Sequence, residues 1–182
     1  GKPNGSADCP GNDSFGSTLH FGPNWDLDSY EQTTAEYTHS SSLGDEMHTY
    51  GLMWTPERLY TYIDSEDNIV LDVDMTDSDF FTKGGWPEDV HNPWAYESDL
   101  NAPFNREFYL IMNVAVGGVN GYFPDTCPGK PYANADPVSV NTFWNTKDQW
   151  YPSWNYPETH DAAMKIDSVR VWSLDGEEVY TQ

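Results

Sequence analysis

An antiparallel β-sandwich with long loops is the architecture to expect from this chain, on three observations. Glycine, proline, asparagine or aspartate interrupts nearly every window long enough to show helical periodicity, which argues against a helical bundle. Short runs compatible with strands recur instead, separated by turn-forming residues. One run, EFYLIMNVAVGG at 107–118, is almost continuously apolar, the pattern of a strand covered on both faces. The length of 182 residues fits a single domain over 1–182, with residues 1–14 as a flexible lead.

The elements follow in order. FGSTLHFG (15–22) is short and β-compatible, and MHTYGLMW (47–54) follows a polar loop. RLYTYID (58–64) and NIVLDVDM (68–75) flank the turn-rich SED and read as a hairpin. Period-two alternation puts Leu71, Val73 and Met75 on one face and Asp72 and Asp74 on a wet one. Residues 107–118 are expected at the centre of the core, ending at Gly117 and Gly118. AMKIDSVRVW (163–172) reads as a second strong strand covered on both sides. One short helix is expected near 137–147, with Asp136 as N-cap and Pro137 as its first residue.

Charge and composition narrow the function. Lys plus Arg number 8 against 30 Asp plus Glu, a formal charge of -22, so phosphate backbones and anionic membrane surfaces are repelled. No apolar run approaches the roughly 20 residues that span a bilayer. Aromatic residues reach 15%, with 8 Trp and 12 Tyr, more than packing alone requires. Their rings suit the apolar C–H faces of sugars. The five histidines lack the close spacing of a zinc site. Cys9 and Cys127 are an even count without metal-ligand spacing and read as disulfide cysteines, paired with each other or with cysteines outside the chain. Asn4 and Asn12 each begin an N-x-S acceptor for glycosylation. Together these features point to an extracellular, secreted protein.

Four segments in register carry a resemblance: HTYGLMWTPERLYTYID (48–64), PFNREFYLIMNVAVGGVNGYFPD (103–125), FWNTKDQWYPSW (143–154) and MKIDSVRVW (164–172). The chain, from Phe15 to Trp172, resembles the family-sixteen glycoside hydrolases, in particular the laminarinase-like β-1,3-glucanases and their non-catalytic β-glucan-recognition relatives. The resemblance implies a concanavalin-like β-jelly roll of two antiparallel sheets with a cleft for an extended glucan. It also implies a retaining, endo-acting mechanism built on an E-x-D-x-x-E strand. In the family that strand precedes the segment matching STLHFGPNW, and no such strand occurs here. The sandwich is therefore expected to be incomplete, finished by an N-terminal fragment of the same precursor or by another chain. The leading expectation is a secreted β-1,3-glucan-active hydrolase domain whose glutamates come from that absent segment. The alternative is a non-catalytic glucan-recognition protein or an extracellular structural component.

Site residues follow from the same resemblance. His20 is expected to support the carboxylate cluster, against an ordinary strand histidine with a local partner. Asn113 is expected to face the cleft from a buried strand, or to make a structural hydrogen bond there. Trp150, in the loop after the expected helix, is expected to line the cleft as a stacking platform or to cap the sandwich, and Trp25, after the turn-forming Gly-Pro-Asn, to be partly exposed and to contact sugar or anchor its loop. Asp167 corresponds to a ligand of a structural Ca²⁺ in many members, with an ion pair to Lys165 or Arg170 as the alternative; no cofactor is otherwise required. DLDSYE (26–31) imitates the catalytic spacing with Asp26, Asp28 and Glu31, but its turn-rich setting predicts an acidic rim loop.

Overall fold

The computed structural model describes Cys9, residues 11–121, 123–175 and, for the backbone alone, 178–181. Asn4 lies outside the described residues. The fold is all-β, with antiparallel sheets and few short helices, as a jelly-roll-like sandwich requires. Two compact units divide the chain, one over Asn12–Tyr109 and the other over Leu110–Gln182 together with the segment around Cys9.

In the first unit, β1 (Ser14–Thr18) pairs with β2 (Thr34–Thr38), and β3 (Tyr50–Trp54), β4 (Arg58–Ile63) and β5 (Ser65–Asp74) form a three-stranded sheet. The expected hairpin is β4–β5. Its turn sits one residue earlier than expected, at Asp64 with φ 61°, so the SED run already belongs to β5. A bulge at Thr61–Ile63 absorbs the resulting offset in register. Asp64 can hold this left-handed backbone because its carboxylate is engaged twice, by the Thr49 N–H at 2.9 Å and by His48 Nδ1 at 2.8 Å.

Alternation along β5 works as expected: Leu71, Val73 and the following Met75 are buried, while Asp72 and Asp74 are exposed. Asp72 accepts a bidentate pair from Arg58, two bonds of 2.7 Å, across the β4–β5 ladder. Gly51 sits opposite Tyr62, whose ring occupies the space a Cβ would need, at 2.0 Å. Across the gap between the sheets, the Ser17 and Thr61 hydroxyls hydrogen-bond at 2.7 Å.

The core joins these strands through a short helix. Phe21, Leu59, Leu71, Val73, Met75, Phe80 and Phe104 form one buried cluster, with Leu19, Ala35, Trp54, Trp86 and Trp94 packed around it. Phe80 opens α1 (Phe80–Gly84), is fully buried (0% exposed), and takes edge-to-face contacts from Phe21 at 5.0 Å and Phe104 at 4.8 Å. Asp79 caps α1 by accepting the Thr82 N–H, and Gly85 closes it at φ 66°, where a residue without Cβ is unstrained. Two elements of this unit escape the sequence reading: β2, whose TAEYT carries only one aromatic, and α1, too short for periodicity to reveal.

The second unit holds α2 (Ser139–Asn145), α3 (Lys147–Trp150) and the antiparallel pair β6 (Arg170–Trp172) and β7 (Glu178–Thr181). The helix starts two residues later than expected. Asp136 nevertheless serves its entry, accepting the Val138 N–H at 2.9 Å and the Thr142 hydroxyl at 2.7 Å. Cys9 and Cys127 are disulfide-bonded to each other. Beside Cys127, the Lys130 ammonium is buried and donates to the Phe123 carbonyl, Asp125 and Asn134, which fixes the loop.

Two expectations are overturned. Residues 107–116 form neither strand nor helix and are exposed, with Tyr109 at 83%, Leu110 at 67% and Ile111 at 68%. The core lies around Phe80 instead. The physical reason is pairing: among the described residues no backbone hydrogen bond is made by 107–116, and an unpaired segment has neither ladder nor cover. For the same reason only Arg170–Trp172 of the expected strand 163–172 is realised, and Met164, Ile166, Val171 and Trp172 are exposed rather than covered.

Phe80→Ala should cost about 3–5 kcal/mol, read from urea unfolding, because it empties the centre of the aromatic cluster. A second outcome follows from the carboxylates. Hydrogen bonds from His48, Arg58 and Lys130 hold Asp64, Asp72 and Asp125 below the ordinary value of 3.8. Depressed folded-state values add stability that is complete above about 3.8 and is lost as pH falls through the lower folded values. Denaturation midpoints measured from pH 6 to pH 2 should therefore drop on the acid side, and Asp72→Asn should make that drop shallower.

Candidate functional site

The surface that follows β1 is built on one aspartate. Asp28 accepts from His20 Nδ1 at 2.6 Å, from the Phe21 N–H at 3.2 Å and from the Tyr30 N–H at 3.1 Å. Two 3-10 turns, Trp25–Leu27 and Tyr30–Thr33, frame it, the first capped by Asn24 accepting the Asp26 N–H at 3.0 Å. The turns can lie this close because residue 22 is glycine: a Cβ there would meet the Leu27 carbonyl oxygen at 2.1 Å. The DLDSYE segment is thus a brace, with Asp28 spent on three structural bonds and Asp26 and Glu31 exposed.

His20 is exposed, hydrogen-bonded to Asp28, with the Tyr30 ring 5.4 Å from its own. Trp25, at 87% exposure, presents a bare indole on the first turn. Tyr30 belongs to the same surface and was missed from sequence, as was the Asp28 partner of His20. The aspartate two residues before Tyr30 is the available signal, since Asp commonly bonds the N–H two residues on.

In the second unit, Trp150 ends α3 instead of lying in a loop. It stacks on Phe143 with ring centres 4.4 Å apart and planes 6° apart, and its Nε1–H donates to the Phe143 carbonyl at 3.1 Å. Trp154 and Tyr151 complete an aromatic cluster around it. One face of Trp150 is therefore used for packing. Trp144, on α2, is exposed, with the Lys147 ammonium 5.2 Å from its ring.

Asn113 lies in the unpaired apolar segment and is exposed, so the expected buried amide is not found. Asp167 is also exposed and outside β6, correcting its expected place within a strand. No group of three His, Cys, Asp or Glu able to hold a metal occurs among the described residues. Asn12, the described glycosylation acceptor, is exposed in the turn before β1.

An open depression of about 280 Å³ lies elsewhere in the first unit, lined by Gln32, Thr33, Leu71, Asp72, Val73, Asp74, Asp77 and Lys83. Of its three carboxylates, Asp72 is matched by Arg58 and Asp77 by Lys83, while Asp74 accepts from the Thr76 N–H and hydroxyl, and no aromatic ring lines it.

Fold and surface together define an all-β, jelly-roll-like protein with exposed aromatic rings and an acidic surface. The chain is 41% identical over 172 residues to "Beta-1,3-glucan-binding protein" of Penaeus monodon, covering 92% of this chain and 46% of that one. It is 26% identical over 166 residues to "Beta-1,3-glucan-binding protein 2" of Manduca sexta, and 30% identical over 165 residues to "Gram-negative bacteria-binding protein 1" of Drosophila melanogaster. These alignments cover 90% and 88% of this chain, and 32% and 30% of those relatives. The chain spans between about a third and a half of the length of these relatives. No family model matches it. No solved structure matches it.

Gly22→Ala should destabilise the first unit by about 1–3 kcal/mol, since its methyl group would force backbone apart. It should also release His20 from Asp28, read as a changed imidazole chemical shift in NMR.

Proposed function

We propose that this chain is part of a secreted β-1,3-glucan-recognition protein that holds neutral glucan on exposed aromatic rings. The observation that carries the reading is the 41% identity, across 92% of the chain, to a protein named for binding β-1,3-glucan. The chemistry of the surface supports it. A chain of net charge -22 repels anionic polymers but is indifferent to an uncharged glucan. Trp25, exposed and presented on a capped turn, offers the flat apolar face that sugar C–H groups need, and His20 and Tyr30 supply polar partners for sugar hydroxyls nearby in sequence. Trp144 and Tyr151, both exposed, offer the same chemistry in the second unit, Tyr151 packed edge-on against Trp150.

The disulfide between Cys9 and Cys127 fits an oxidising, extracellular location, with Asn12 available for glycosylation. In this reading an N-terminal segment of the same protein completes the sandwich. Hydrolysis would require a pair of carboxylates at fixed separation, and the one sequence imitation of such a pair, at 26–31, is committed to structure through Asp28. Recognition without cleavage is therefore the function the surface supports best.

The test is titration of the full-length protein with laminarin by calorimetry, alongside an assay for released reducing ends. Binding without release is the expected result. Trp25→Ala should weaken binding about tenfold, the loss of one good aromatic contact, with the unfolding midpoint unchanged. Absence of laminarin binding would overturn the proposal, and release of reducing ends would restore the hydrolase reading with glutamates from outside these residues.

A further inference from the structure

The glucan reading uses His20 and leaves a second histidine–aspartate pair unexplained. His48, shortly before β3, is buried, with 3% of its side chain exposed, and its Nδ1 lies 2.8 Å from the carboxylate of Asp64 in the turn between β4 and β5. Hydrogen bonds from His48 and from the Thr49 N–H hold the Asp64 carboxyl below its usual value, so it is ionised and Nδ1 of His48 carries the imidazole proton. Nε2 is thereby left as a lone pair. That atom is buried and has no hydrogen-bond partner among the described residues, although nearly all buried polar atoms in folded proteins have one.

A second imidazole stands beside it. His39, half-buried and directly after β2, has its ring centre 5.5 Å from that of His48, with the planes 65° apart. Ser41 holds His39 Nδ1, with its carbonyl 3.3 Å away and its N–H and hydroxyl each 3.2 Å away. When Nδ1–H donates to that carbonyl, His39 Nε2 is a lone pair as well. Histidines that bind metal through one nitrogen give the N–H of the other to a carboxylate, a backbone carbonyl or water. His48 has the carboxylate and His39 the carbonyl.

We propose that His48 Nε2 and His39 Nε2 together hold a divalent ion of the later first-row transition metals, such as zinc or copper, with water completing its shell. Imidazole nitrogen suits these ions, whereas calcium and magnesium take oxygen ligands. The spacing also fits, since an ion about 2 Å from each nitrogen places two imidazole centres roughly 5–6 Å apart. Asp64 orients His48 and is not itself a ligand, so the protein supplies two ligands, in keeping with the lack of any three-residue metal cluster among the described residues. An ion held by two ligands is exchangeable. The net charge of -22 gathers cations around the chain. Because β2 and β3 belong to different sheets of the first unit, the ion links those sheets at this end.

Calorimetric titration of the full-length protein with zinc chloride tests the proposal. His39→Gln, made at the half-buried position, should weaken the binding of one zinc equivalent at least about tenfold. Asp64→Asn should weaken it about 10–100-fold through the orientation of His48, and asparagine tolerates the positive φ of residue 64. Copper(II) bound in place of zinc should show couplings to two imidazoles in pulsed electron paramagnetic resonance, falling to one in His39→Gln. Absence of zinc binding, zinc binding unaltered by His39→Gln, or copper coupled to a single imidazole in the unaltered protein would each overturn the proposal.

Discussion

A β-strand makes no hydrogen bonds within itself, so each one exists only where a neighbour accepts its N–H groups and donates to its carbonyls. This constraint separates the two halves of the chain. Between Ser14 and Asp74 every strand finds its partner nearby in sequence, through the β1–β2 and β3–β4–β5 ladders. Those ladders hold apolar faces in place, and Phe80 closes the space they leave. From Leu110 to Val116 the side chains are more apolar than in any strand of the first unit, yet no described neighbour supplies a ladder, and the segment gains neither regular structure nor cover. Hydrophobicity makes burial favourable; pairing makes it possible.

The same distinction explains what could be read from the sequence. The β4–β5 hairpin was legible because its information is local. Alternation at 71–75 names the buried face, and the turn needs only a residue tolerant of positive φ, which Asp64 provides. The capping role of Asp136 was legible for a similar reason, since a side chain bonding its own following backbone depends on no distant residue. Burial of 107–118 was a statement about partners, and the apolar pattern that suggested it says nothing of where those partners are. α1 was missed for the opposite cause: five residues show no period, and what makes it matter is Phe80, whose importance is set by Phe21 and Phe104.

The site divides along the same line. Trp25 was legible as exposed because proline, glycine and asparagine before it force a turn. His20 was legible as a residue of interest, but its partner was not, although Asp28 stood in the most conspicuous acidic motif of the chain. The motif drew attention for its spacing, whereas its chemistry lies in one carboxylate that accepts three hydrogen bonds. An aspartate so occupied has few lone pairs left to act as nucleophile or base, which is the physical reason the likeness to a catalytic sequence misleads here.

What remains on the first unit's surface is a rigid mount for a flat ring. Asn24 caps the turn that bears Trp25, Gly22 lets that turn approach the chain behind it, and Asp28 ties it to His20 and to Tyr30. A ring held this way gives up little conformational freedom when a ligand arrives, because the backbone bearing it is already fixed. Weak stacking on a single sugar is then enough to matter when the ligand is a polymer, whose repeated units let neighbouring contacts on one chain add through effective concentration. On the proposed reading, in which the ligand is a neutral glucan, such a surface gains affinity from the length of the chain, and an exposed tryptophan suits it better than the open, ion-paired depression beside Asp72.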